Sequence, residues 1–440
     1  MGSKKIKVFK FVSYSYDEKS GLLLLNYNAG DYDFTEKITF LGQRRELSQR
    51  EKTALNRVFR ALHIAAGVSY YKAFLCPEME VLTSPLSYSE AVFFKDFYVK
   101  GLSEFSYRND IEIKPDFKAE GAYVEPDDVK LPKGVLVPVG GGKDSILALE
   151  MLREKGISPI MFAVGEHKAI KDVMKIAGFS SLSVKRELSP LLFELNKREN
   201  TFNGHVPVTG ILSFIMVASA IIYGFDTVVM AIERSANTGN TFRNGEEVNH
   251  QWSKSFEFEN LFSNFVRQNL LPSFNYFSIL REYSELEIAK RFSKYKQYLG
   301  AFTSCNRAFK IDETKRVDRW CGVCDKCRFV FLALAPFMAR DELVPLFGRD
   351  LLAEPEQERG YEELLGLSAF RPFECVGEIE ESVAALTLLS SLDEWKTAYI
   401  VKELMPKVVA KYGDCQEIVR KVFTRSQKHN IPKEFQDEPF

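Results

Sequence analysis

The run Gly140-Gly141-Gly142-Lys143-Asp144-Ser145 constrains this chain more than any other, because of what stands on either side of it. Val135–Val139 reads as a short apolar strand, and a helix reads from about Asp144 to Lys155, closed by Gly156. A strand that turns through three glycines into a helix leaves backbone N–H groups bare at the helix start. The helix dipole adds positive charge there, so the arrangement is an anion site. Lys143 adds a point charge and Ser145 a hydroxyl donor. A Walker A loop would need Gly at Val137 and Ser or Thr at Asp144, and the dinucleotide fingerprint would need Gly at Ser145, so neither motif is met.

The same grammar continues downstream. Pro159–Val164 reads as a strand, Ala169–Ala177 as a helix closed by Gly178, and Leu182–Lys185 as a strand. A buried helix follows within 206–225, then strands at Thr227–Ile232 and Tyr276–Leu280, then a helix capped by Ser284 and Glu287 that runs to about Tyr295. Repeated alternation predicts an α/β fold with a parallel, Rossmann-like sheet and right-handed crossovers. Residues 1–128 read as an N-terminal α+β unit. Ile6–Val12 and Leu22–Tyr27 are strands of a meander, and Ser48 with Glu51 forms a capping box for a helix reaching Tyr71. Asn109 to Lys133, with Pro115, Pro126 and Pro132, reads as a polar linker. The α/β unit is expected over 129–345 and a mainly helical region over 346–440.

Composition removes several function classes. The 440 residues carry 59 Lys+Arg against 60 Asp+Glu, a balance without the basic excess of a nucleic-acid binder. Val206 to Phe225 is 20 residues without a charge, the length of a bilayer span. Pro207, Gly210, Ser213, Ser219 and Gly224 interrupt it, and a strand follows at once, so it reads as a buried helix and no membrane partner is expected. The N-terminus has no uninterrupted apolar stretch and does not read as a secretory signal, so a cytoplasmic location is expected. Composition says nothing of oligomeric state.

Four of the seven cysteines fall within 23 positions: Cys305, then Cys321, Cys324 and Cys327 spaced Cys-x-x-Cys-x-x-Cys. Clustering and an odd total fit a metal site in a reducing compartment better than a disulfide framework. Four thiolates closing on one ion make a saturated structural zinc site, with an iron–sulfur centre as the second reading.

The glycine run resembles the S-G-G-x-D-S loop of the PP-loop ATP pyrophosphatases, with Gly140 standing where that family has its first Ser. The resemblance implies ATP held by residues 140–145, cleavage to AMP and pyrophosphate, and Asp144 holding Mg²⁺ or ordering the loop. The order strand, capped helix, Ser304-Cys305, then the cysteine triplet is similar to zinc-bearing PP-loop enzymes, in which the metal staples the chain beside the active site. Further segments narrow the family. They are Leu62–Lys72, Asn203–Thr209, Glu233-Arg234-Ser235, Val248–Ser255, Cys324–Val330 and Arg371–Glu378. Together they resemble the UDP-N-acetylmuramoyl-L-alanyl-L-glutamate epimerases. That resemblance implies ATP-dependent inversion of the terminal L-glutamate of a UDP-linked muramoyl dipeptide, a peptidoglycan precursor. A zinc-containing PP-loop synthase, of the 7-deazaguanine nitrile or tRNA-modifying type, is the alternative.

The chemistry gives these parts roles. An α-proton beside a free carboxylate is hard to remove, because the carbanion forms next to an existing negative charge. Adenylation cancels that charge, and a positioned base then takes the proton, a contribution of about 10²–10⁴-fold. His205, His250, Lys254 and Cys375 are the candidate catalytic groups. Arg234, Ser235 and Asn249 are the candidate substrate-binding groups, since Arg234 and Ser235 fall just past a strand's C-terminal end, where open parallel sheets place ligands. His63 reads as packing, and His167 and His429 as surface residues.

Overall fold

The computed structural model describes residues 6–310, 313–368 and 372–437. Arg371, part of one motif quoted above, lies outside them. The chain opens with an antiparallel meander, β1 (Val8–Asp17), β2 (Leu22–Ala29) and β3 (Tyr32–Phe40). β3 was not expected from the sequence, because Glu36 breaks its apolar alternation at a fully buried position. Arg186 answers that carboxylate at 2.7 Å. The helix Gln49–Tyr71 starts as expected: Ser48 Oγ accepts from Glu51 N, and Glu51 Oε2 accepts from Ser48 N at 2.8 Å. Such a cap stabilises a helix by about 1 kcal/mol.

The remaining strands are β4 (Glu78–Val81), β5 (Val135–Pro138), β6 (Ile160–Val164), β7 (Ser181–Glu187), β8 (Thr227–Met230), the ribbon β9 (Thr241–Arg243) and β10 (Glu246–Val248), and β11 (Asn275–Ser278). Nine of the eleven strands form one sheet in the order β11-β8-β5-β6-β7-β3-β2-β1-β4. The run β11-β8-β5-β6-β7 is parallel, and β3 joins it antiparallel to β7, with Ile38 opposite Arg186. The N-terminal meander therefore extends the α/β sheet, and the sheet runs across the expected 128/129 boundary. Residues 110–134 between them carry no helix or strand.

Alternating side chains feed two cores, one on each face. Leu136, Phe162, Val228 and Tyr276 point to one face, with helices Gln49–Tyr71, Val208–Tyr223 and Phe256–Asn269. Val137, Met161, Val229 and Phe277 point to the other, with helices Lys143–Glu154, Lys168–Ala177 and Glu285–Phe292. The C-terminal helices Asp325–Leu334 and Ile379–Ser390 share this second core. The period of 2 along each strand dictates this double layering. Among the described residues, no helix is long and apolar enough to cross a membrane. The uncharged stretch is instead the buried helix Val208–Tyr223.

Strand β5 sits between β6 and β8. The crossover after β5 runs to one side, and the later one to β8 runs to the other. This is the switch point at whose carboxyl edge open α/β sheets bind ligands.

Candidate functional site

The glycine loop leaves β5 at that switch point. Gly141 has φ of +81°, a backbone state that excludes other residues without strain. A Cβ on Gly142 would meet Ser304 Oγ at 2.9 Å, whereas a Cβ on Gly140 would meet nothing within 4 Å. That open space lies beside the start of the helix Lys143–Glu154, and a helix N-terminus favours an anion. Gly142 caps the helix Lys143–Glu154 without a side-chain bond, so the N–H groups of its first turn have no side-chain acceptor. Thr303 N donates to Gly141 O at 3.0 Å, which ties the loop to the segment bearing Cys305.

Three carboxylates converge beside the loop. Asp144, Glu233 and Glu285 place one oxygen each within 4.8 Å of one another. Asp144 opens the helix after β5, Glu233 follows β8, and Glu285 opens the helix after β11. Lys143 does not point outward as a bare charge. Its buried Nζ donates to Asp144 Oδ1 at 2.5 Å and also to Glu285. Burial pushes the Glu285 carboxyl up to about 7 against the pull of Lys143. An all-oxygen trio suits a hard divalent cation shared with phosphate oxygens. Ser145, the candidate hydroxyl donor of the loop, is 6% exposed, and its Oγ donates to Gly142 O at 3.0 Å.

The cysteine cluster forms as spaced. Cys305 and Cys324 sulfurs are 3.8 Å apart, Cys321 and Cys327 3.7 Å, and Cys324 and Cys327 3.5 Å. These are too long for disulfides. They match a tetrahedron with metal–sulfur bonds of about 2.3 Å, whose sulfurs lie about 3.8 Å apart. The four thiols therefore fit a single metal ion such as zinc.

A second polar centre assembles from three distant parts of the chain. Lys254 Nζ donates to Cys375 Sγ at 3.3 Å. His250 Nδ1 meets the Glu104 carboxylate, and the His250 ring is electrostatically coupled to Cys375. Arg108 Nε holds the other Glu104 oxygen at 2.5 Å, and His205 Nδ1 lies 3.7 Å from the same carboxylate. The His205 and His250 rings are 4.4 Å apart. Burial opposes the Cys375 thiolate, but Lys254, His250 and Lys326 outweigh it and hold the thiol near 5. Burial likewise opposes the His250 imidazolium, and Cys375 with Glu104 overcomes it, raising the ring to about 9. Burial and the neighbouring His250 charge push His205 down to about 4, so it is neutral at neutral pH. Lys254 links the two centres: besides Cys375, it feels the charges of Glu233 and Asp144.

The Cys375 segment is fastened from several sides. Asn240 Nδ2 donates to Pro372 O at 2.8 Å, Arg108 stacks on Phe373 at 4.9 Å, and Glu374 bonds Asn306 next to Cys305. Thus the cysteine staple, the glycine loop and Cys375 are mechanically connected.

The structure brings His205, His250, Lys254 and Cys375 together, as their candidacy requires. The three substrate-binding candidates sit differently. Arg234 donates to the carbonyls of Val422, at 2.8 Å, and Thr424, at the end of the C-terminal helix Cys415–Phe423. Ser235 Oγ donates to buried Glu381 at 2.7 Å. The Asn249 amide is spent on Ala236 O at 3.1 Å and Gln251 N at 2.7 Å. His167 and His429 are half-buried rather than surface residues, and His167 caps the helix Lys168–Ala177. His63 is buried as expected. Glu104 and Glu285 were missed. A capping signal marked the Glu285 helix, but nothing local distinguishes Glu104.

Buried Arg281 organises the loops of both centres. Its guanidinium donates to Glu233 O at 2.9 Å, Lys254 O at 3.0 Å and Glu259 Oε2 at 2.9 Å. Arg281→Met leaves the 2%-exposed Glu259 charge without its partner, so a loss of about 3–5 kcal/mol is expected in denaturant melts. A change under 1 kcal/mol would contradict this assignment.

Comparison with known proteins shows the family. A family profile described as the MurL N-terminal domain matches residues 1–279, and one described as the MurL C-terminal domain matches 301–417. The chain is 42% identical over 437 residues to a Micromonospora protein named UDP-N-acetyl-alpha-D-muramoyl-L-alanyl-L-glutamate epimerase, covering 98% of this chain and 97% of that one. Proteins of the same name from Salinispora tropica and Xanthomonas oryzae pv. oryzae are 42% and 38% identical. These matches cover 92% and 97% of this chain, and 90% and 96% of the relatives. With both family domains present and the likeness running almost end to end, the chain belongs to the MurL family of epimerases.

Proposed function

We propose that this protein inverts the terminal L-glutamate of UDP-N-acetylmuramoyl-L-alanyl-L-glutamate to D-glutamate, using ATP to adenylate the glutamate carboxylate, as a cytoplasmic step of peptidoglycan precursor synthesis. The observation that carries this is the meeting, at one sheet edge, of a phosphate-shaped loop with a polarised thiol–imidazole–carboxylate chain. The first part suits ATP and the second suits proton transfer at carbon.

In this reading residues 140–145 are a PP-loop that cradles the pyrophosphate of ATP with backbone N–H groups. Asp144, Glu233 and Glu285 would hold Mg²⁺, which supplies charge neutralisation for the departing pyrophosphate. The substrate carboxylate attacks the α-phosphorus, and pyrophosphate leaves. With its charge masked, the acyl group acidifies its α-carbon. Inversion at that carbon falls to the cluster of His205, His250, Cys375 and Lys254, and hydrolysis ends the turnover. Chiral analysis of glutamate after incubation of the muramoyl dipeptide precursor with ATP and Mg²⁺ tests the reading. D-Glutamate formed without an ammonia or sulfur donor supports it and separates it from a synthase.

For the cysteine cluster we propose zinc, at about one ion per chain. Structural zinc stabilises small finger peptides by about 10–16 kcal/mol. Cys324→Ser should therefore lose the metal and unfold at markedly lower temperature. Elemental analysis of freshly purified protein checks the identity, and iron in place of zinc would contradict it.

A further inference from the structure

We propose that Cys375 acts as a nucleophile, taking the activated glutamyl group from AMP so that the α-carbon is inverted as an enzyme thioester. This deepens the reading above and rests on its adenylation step.

A thiol, an imidazole and a carboxylate gather here: Cys375 is electrostatically coupled to His250, whose Nδ1 meets Glu104. Activated thiols in acyl-transfer enzymes are built this way. Lys254, 3.3 Å from the sulfur, adds a second cation. Two cations on one sulfur keep it as thiolate but make it a poor proton acceptor. Nucleophilicity falls more slowly than basicity, with a Brønsted slope of about 0.4–0.5, so such a thiolate still attacks carbon. His205 differs from its neighbours. It is half-buried, and its ring lies 4.4 Å from that of His250 and tilted 45° to it, so the two imidazoles can pass a proton between them. The division of labour is then sulfur for carbon and imidazole for protons.

Cys375 is also placed for the transfer. It is half-buried, while Cys76 and Cys415 are buried in the cores and the other four cysteines form the staple. Lys254 Nζ donates to Cys375 Sγ at 3.3 Å and also feels the charges of Glu233 and Asp144, so one lysine couples the sulfur electrostatically to the phosphate edge.

The steps balance. The Cys375 thiolate adds to the acyl carbon of the acyl adenylate, the carbon–oxygen bond to AMP breaks, and AMP leaves with that electron pair. The thioester carbonyl accepts charge when the α-proton goes to an imidazole, and a proton returned to the opposite face inverts the centre. Water then adds to the acyl carbon, the carbon–sulfur bond breaks, and sulfur leaves as thiolate while one water proton passes to solvent. Holding the acyl group covalently prevents its loss as an uninverted adenylate.

Two readouts test this on the full-length protein with the muramoyl dipeptide precursor, ATP and Mg²⁺. Rapid acid quench and intact-protein mass spectrometry should show an adduct of substrate mass minus water on Cys375, released by hydroxylamine as a hydroxamate. Cys375→Ala should still form pyrophosphate in its first turnover, which also reports that it is folded. Its AMP release should fall at least about 100-fold, as for loss of a principal catalytic group. Cys375→Ala that releases AMP at the wild-type rate without inverting glutamate would overturn the nucleophile and leave the adenylation reading standing. Wild-type protein that inverts glutamate without forming pyrophosphate or AMP would overturn both.

Discussion

Asp144→Asn should lower ATP-to-AMP turnover by about 10²–10³-fold, the usual cost of deleting one preorganised electrostatic group from a transition state. The substitution keeps the shape of the side chain and removes one charge from the trio with Glu233 and Glu285. It also takes one of two carboxylates from buried Lys143, which then leans on Glu285 alone. Asp144 is partly exposed, so the fold should survive, as a thermal melt would verify. Pyrophosphate release is the measurement. Wild-type release in this variant would remove the phosphate site from the account. Loss of inversion should follow in equal measure, because a substrate that is never activated keeps its α-proton.

Glu104→Gln should separate the two halves of the reaction. Pyrophosphate formation should continue, while inversion falls by about 10²-fold or more, within the range for a positioned acid–base group. The pH profile gives a sharper signature. Wild-type inversion should be bell-shaped, rising as Cys375 ionises near 5 and falling as His250 loses its proton near 9. The groups facing this pair are Lys254, Lys326, His205, Glu104 and Glu374, with Arg108 behind Glu104. Removing the Glu104 charge withdraws support from the imidazolium, so the alkaline limb should move to lower pH. A limb that stays in place would show that Glu104 does not hold His250.

The sequence carried the local signals well. The glycine run, its strand and helix, and the cysteine spacing are contiguous, and each is shaped by backbone rules that act over a few residues. Ser48–Glu51 and Ser284–Glu287 were readable for the same reason. The long-range parts were not. Glu104 sits in a short helix, Ser103–Asn109, whose residues give no hint that its carboxylate meets a histidine 146 positions later. β3 was hidden because its buried Glu36 depends on an arginine 150 positions away. Arg234 was placed correctly past β8, but its guanidinium turns to a helix end that only tertiary packing brings near. The joining of the meander to the parallel sheet also follows from a pairing, β3 with β7, that no periodicity reports.

The central claim is that activation by ATP precedes proton removal at the α-carbon. The most direct measurement runs the reaction in D₂O with the muramoyl dipeptide precursor, with and without ATP, scoring AMP, glutamate chirality and deuterium at the α-carbon together. The account predicts D-glutamate carrying solvent deuterium, formed alongside AMP and only when ATP is present. Inversion at full rate without ATP and without AMP would contradict it.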